Sequence, residues 1–128
     1  MPEAGDSEAP LDRSVVDVLL ALGADLPGFG DELTGDFVSA VERHTSGMRD
    51  AVRAGRGADL GFAAHSLRGS CGILGARRMA RLCDEIEKTA AEGELSDALP
   101  RIEGLEREYR SVKSALDEAV RAAQAKRA

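Results

Sequence analysis

Group-transfer chemistry needs a nucleophile and a charge to meet the group, and this chain places His65 and Arg68 three positions apart in the run His65-Ser-Leu-Arg-Gly-Ser-Cys-Gly-Ile-Leu-Gly-Ala76. A neutral imidazole nitrogen is nucleophilic, and with an unperturbed pKa near 6.5 an exposed ring is largely neutral at neutral pH without a dedicated base. A guanidinium beside it disfavours the protonated ring, yet offers an incoming phosphoryl group a fork of charged donors. On a helix the surface neighbours of His65 are Gly61, Arg68, Gly69 and Gly72, at i−4, i+3, i+4 and i+7. Three of these four are glycine, and each glycine costs a helix about 1 kcal/mol relative to alanine. Such a surround predicts close approach by another molecule. Phe62 and Ile73, at roughly 60 and 80° from the histidine on a helical projection, offer either an apolar docking rim or contact with a neighbouring helix.

The element that must present these residues is an amphipathic helix. Leu60, Ala63, Leu67, Cys71 and Leu74 fall roughly 160 to 240° from His65 and form its core stripe. The expected span is 59–74, with Asp59 as N-cap and Gly75 as the stop. Around it, Val15, Val18, Leu19 and Leu22 predict a short first helix over 12–22. Leu33, Phe37, Ala40, Val41, Met48, Ala51 and Val52 share a face of a long helix over 29–54. Met79, Leu82, Cys83, Ile86 and Ala90 mark a helix over 77–92 closed by Gly93. Ile102, Leu105, Tyr109, Val112, Leu116 and Ala119 give the seam of a last helix starting near Ser96 or Asp97, with Pro100 in its first turn. Short connections between long helices predict an all-α fold, an antiparallel up-down four-helix bundle with a short additional N-terminal helix. Residues 1–10 are expected to be a flexible tail, 11–124 the bundle domain and 125–128 a C-terminal tail.

Composition bounds the function. With 128 residues, 43% of them hydrophobic, the chain suffices for one domain, and three Phe, one Tyr and no Trp leave the core to aliphatic residues. A net charge of −6 argues against nucleic-acid binding. No apolar run approaches the roughly 20 residues of a membrane span, and the polar start is unlike a signal peptide, so a cytoplasmic protein is expected. Cys71 and Cys83 match no metal or redox spacing and fit small buried thiols. His44 lies in the apolar face of the second long helix and reads as a packed histidine.

His65-Ser-Leu67-Arg68-Gly69-Ser70-Cys71 through Leu74-Gly75-Ala76, followed by Leu82-Cys83-Asp-Glu-Ile86-Glu87, resembles the signature of histidine-containing phosphotransfer domains. The similarity extends to the short first helix, to the long second helix introduced by Phe29-Gly-Asp-Glu-Leu33 and to the long last helix, covering roughly residues 11–120. The resemblance implies a bundle that accepts a phosphoryl group on a histidine from the aspartyl phosphate of a receiver domain and passes it to another receiver, without ATP-binding or autokinase activity. By position it makes His65 the phospho-acceptor and Arg68 the cation that pairs with phosphoryl oxygens. Gly69 stands at the small position that leaves room for the phosphate. It implies no cofactor or metal in this chain, Mg²⁺ in the partner receiver, and response-regulator receivers or a hybrid histidine kinase as partners of a monomer. The start methionine and complete bundle lean toward a freestanding protein rather than a kinase segment. The family usually has lysine where this chain has Arg68, and often a small hydroxyl residue where it has Cys71. Two other readings stand beside it: a module that docks receivers without transfer, and a phospho-accepting domain excised from a chemotaxis-type or hybrid histidine kinase.

Overall fold

In the computed structural model, which describes residues 8–127, five α-helices follow one another: α1 (Arg13–Leu22), α2 (Phe29–Ala54), α3 (Gly57–Ile73), α4 (Arg77–Glu92) and α5 (Ala98–Arg127). A 3-10 turn, Leu95–Asp97, leads into α5. The four long helices form a ring in which α2 packs on α3, α3 on α4, α4 on α5, and α5 closes on α2. Their directions alternate. Between α2 and α5, Gly30 approaches Val120, Phe37 stacks obliquely on Tyr109 at 6.0 Å, and Arg49 meets Glu106 at 2.5 Å, so one helix descends as the other rises. The sequence periodicity explains the core: Met48, Leu60, Leu67, Met79, Ile86, Ile102, Leu105, Val112 and Leu116 are fully buried, each on the apolar stripe of its helix.

The α3–α4 turn controls where the site forms. Gly75 has φ +67°, a left-handed conformation that costs a side chain dearly. A Cβ there would also lie 2.6 Å from the Cβ of Asp12. Asp12 itself caps α1 by accepting from the amides of Ser14 and Val15, donates its own amide to the Gly75 carbonyl at 3.0 Å, and pairs with Arg77 at 2.8 Å. The chain before α1 is thus buckled onto the hairpin that carries the site.

Four boundary or facing expectations are corrected by these contacts. On α1, Val16 and Leu20 are buried, while Val18 is 58% and Leu22 79% exposed, so the helix is turned from its predicted Val15–Val18–Leu19–Leu22 face. Apolar residues occur nearly all round this helix, and its docking on the C-terminal half of α5 selects the face. Gly30 permits that docking, since a Cβ there would come within 2.8 Å of Val120 and 3.7 Å of Leu20. Asp59 is not the N-cap of α3: the helix begins at Gly57, after Arg56, and Asp59 lies in its first turn, where a carboxylate complements the helix dipole.

At the ends, α5 continues through Arg127, so positions 125–127 are helix rather than tail. Within the predicted N-terminal tail, residues 1–7 lie outside the described residues, but Glu8 is held. Its carbonyl accepts from Arg78 at 2.9 Å, and its carboxylate pairs with Arg81. That hydrogen bond from Arg81 holds the Glu8 carboxyl below the usual range. Glu8 is thus matched by arginines 70 and 73 residues further along the chain.

Leu67 is fully buried beneath His65 on the opposite face of α3. Leu67→Ala is expected to destabilise the bundle by about 2–5 kcal/mol, measured by urea unfolding followed by circular dichroism. A loss below about 1 kcal/mol would show that α3 is not anchored through this stripe.

Candidate functional site

His65 projects from the middle of α3 with its side chain 58% exposed. Its ring leans toward α4, where Nδ1 lies 3.2 Å from Glu87 Oε2 and 3.3 Å from Oε1. Arg68, one turn further along α3, reaches both ways: Nη1 donates to Asp84 of α4 at 3.1 Å, and Nη2 stands 3.3 Å from the same His65 Nδ1. Asp84 meets a second cation, Lys88, at 3.4 Å. Two carboxylates and two cations therefore surround one imidazole, and their formal charges cancel.

The contacts at Nδ1 decide what the ring can do. A neutral imidazole carries one N–H and one lone pair. When Nδ1 holds the proton it donates to Glu87, and Nε2, which has no partner among the described residues, keeps its lone pair as the nucleophilic atom. The alternative tautomer would accept from Arg68 at Nδ1 and leave Nε2 protonated. The Glu87 carboxylate favours the first form, and the Arg68 guanidinium at 3.3 Å the second.

The space around the histidine is uneven. A Cβ added at Gly69 or Gly72 would meet nothing within 4 Å, whereas at Gly61 it would touch the Ala90 Cβ at 3.6 Å. Gly69 and Gly72 thus leave open space on the histidine's face, while Gly61 lies at the contact between α3 and α4. Phe62 and Ile73 are 72% and 62% exposed, so neither is consumed by packing against a neighbouring helix. Each borders a groove between α2 and α3: Ile73 beside Leu33, Asp36 and Phe37, Phe62 beside Gly47 and Asp50.

Asp84 and Glu87 are the site residues that a reading of one helix misses. A signal for them does exist in the chain: His65 and Glu87 each lie eleven residues from Ala76, and Arg68 and Asp84 each lie eight. In an antiparallel helix pair turned about that point, these positions face one another. Cys71 and Cys83, by contrast, are both buried. Hydrogen bonding between them, followed by burial, pushes the Cys83 thiol far up, which keeps it protonated and unreactive. His44 is half-buried, and burial with the adjacent Arg43 lowers its pKa. Among the described residues no cluster of three or more His, Cys, Asp or Glu could hold a metal ion, and no helix is long and apolar enough to cross a membrane.

The bundle and this arrangement on α3 agree with comparison to known proteins. A family model described as the Hpt domain matches residues 32–125, and the chain belongs to that family. Among solved structures, it is similar to histidine-containing phosphotransfer protein B from Pseudomonas aeruginosa PAO1, with a TM-score of 0.80 and 30% sequence identity over 91% of this chain and 98% of that one. No curated protein matches.

Because the space beside Gly69 is open and leucine exceeds glycine in helix propensity by about 1 kcal/mol, Gly69→Leu is expected to fold at least as stably as the parent. The same side chain should slow carbethoxylation of His65 by diethyl pyrocarbonate, followed by peptide mass spectrometry. Undiminished His65 reactivity would remove any steric role for the glycine.

Proposed function

We propose that the protein carries a phosphoryl group on His65 Nε2, receiving it from the aspartyl phosphate of one receiver domain and delivering it to the aspartate of another within a phosphorelay. The observation that carries this reading is the polarised ring: Nδ1 is engaged by Glu87, while Nε2 has no partner among the described residues and lies on an exposed face beside Arg68 and the open space at Gly69.

In the proposed reaction the Nε2 lone pair attacks phosphorus in line with the acyl oxygen. The P–N bond forms as the P–O bond breaks, and the receiver's aspartate leaves as carboxylate. The ring becomes cationic, and its Nδ1 proton remains hydrogen-bonded to Glu87, which stabilises that charge. Arg68 turns its guanidinium to the phosphoryl oxygens. Little covalent assistance is needed, because positioning and charge neutralisation supply most of the acceleration in phosphoryl transfer. Mg²⁺ and the acceptor aspartate belong to the receiver, which docks over Gly72 with Phe62 and Ile73 as an apolar rim. The protein is a carrier, and the ATP-dependent step lies in another protein.

Incubation with ³²P-labelled receivers should move acid-labile label onto the parent chain and onto His44→Gln, but not onto His65→Gln. Arg68→Ala should slow transfer by about tenfold or more, the equivalent of losing one charge-assisted hydrogen bond of about 1.5–3 kcal/mol. Receivers that bind without ever transferring label would reduce the protein to a docking module.

A further inference from the structure

We propose that Asp84 is a positioning residue that competes with the phosphoryl group for Arg68, and so keeps the phosphohistidine at high transfer potential. The proposal rests on the carrier reading above and adds a determinant on α4 to it.

The geometry shows Arg68 already engaged before any phosphoryl group arrives. Its Nη1 is on Asp84 at 3.1 Å and its Nη2 is at the histidine ring, so the guanidinium spans from α4 to the nucleophile. The planar fork of arginine directs its two terminal nitrogens to these two places. Both members of the Arg68–Asp84 pair are half-exposed, and exposed ion pairs of this kind are weak. A dianionic phosphoryl group on Nε2 can therefore draw the guanidinium away.

Asp84 does not leave with it. The other carboxylate oxygen is held by Lys88 at 3.4 Å, an i,i+4 pair within α4. After Arg68 turns, Asp84 remains in place as a like charge near the phosphoryl group, deprived of its stronger partner. Both effects raise the free energy of the phosphorylated state: one cation must be withdrawn from a carboxylate, and one anion stays beside a dianion. A carrier benefits from such a bias, because a phosphohistidine stabilised too well would not be discharged. Glu87 works in the opposite sense, since it faces the ring proton and stabilises the cationic imidazole.

The test uses phosphoramidate as donor. Its P–N bond breaks as the P–Nε2 bond to His65 forms, and ammonia leaves. At fixed donor and ammonia concentrations, ³¹P NMR gives the phosphorylated fraction, and removal of the donor gives the phosphohistidine half-life. Removing one like charge beside a dianion on a half-exposed surface shifts such an equilibrium by about three- to tenfold. Asp84→Asn should therefore raise the ratio of phosphorylated to free protein and lengthen the half-life by about that factor, at an unchanged melting temperature. Asp84→Glu should return both toward parent values. Glu85→Gln, which removes an equal charge from the adjacent position, should change each less than twofold. An unchanged or lowered ratio of phosphorylated to free protein in Asp84→Asn, with normal phosphorylation of the parent, would overturn this proposal and leave the carrier reading standing. Failure of the parent chain itself to form phosphohistidine would overturn both.

Discussion

The antiparallel packing of α3 on α4 is the constraint on which the rest of the structure depends. Leu60, Leu67 and Cys71 on one helix and Met79, Cys83 and Ile86 on the other are fully buried, and burial of this kind is the main favourable term in holding helices together. Because both stripes must face inward, the opposite flanks of the two helices are brought together at the surface. His65 then meets Glu87, and Arg68 meets Asp84. The polar site is thus a consequence of apolar register: a rotation of either helix that exposed the stripe would also part the ring from its carboxylate.

That register is reinforced at the end of the hairpin. Gly75 turns the chain with a positive φ, and the absence of a side chain there lets Asp12 approach and bond its carbonyl. Arg77, Arg78 and Arg81 on the first turns of α4 engage Asp12 and Glu8, while Arg78 also reaches Glu108 on α5 at 3.0 Å. The pairs with an exposed partner each contribute little alone. Together they join the chain before α1, the α3–α4 turn and α5 at one end of the bundle, leaving the middle of α3 free to present the histidine.

Charge at the site is balanced rather than strongly positive. A site built only to hold phosphate would gather cations around it, as would a nucleic-acid surface. Here Asp84 and Glu87 offset Arg68 and Lys88. This suits a group that must be accepted and then released, where the free energies of the charged and uncharged carrier have to lie close together.

The periodicity of apolar residues determined the all-α class, the span of α2 and α4, and the presentation of His65 away from the core, because burial imposes a 3.6-residue repeat visible in one dimension. The same pattern identified Arg68 and Gly69 as its neighbours, since i+3 and i+4 relations lie within one helix. It misplaced the face of α1, where apolar residues on nearly every side leave the choice to the docking partner. Nor could it show that Arg68 is paired with Asp84 across the helix contact. Only the tertiary structure decided these points, together with the contact of Glu87 with Nδ1 and the capture of Glu8 by Arg78 and Arg81. Contacts between helices depend on how two stripes rotate against each other, and that rotation is set by packing in three dimensions.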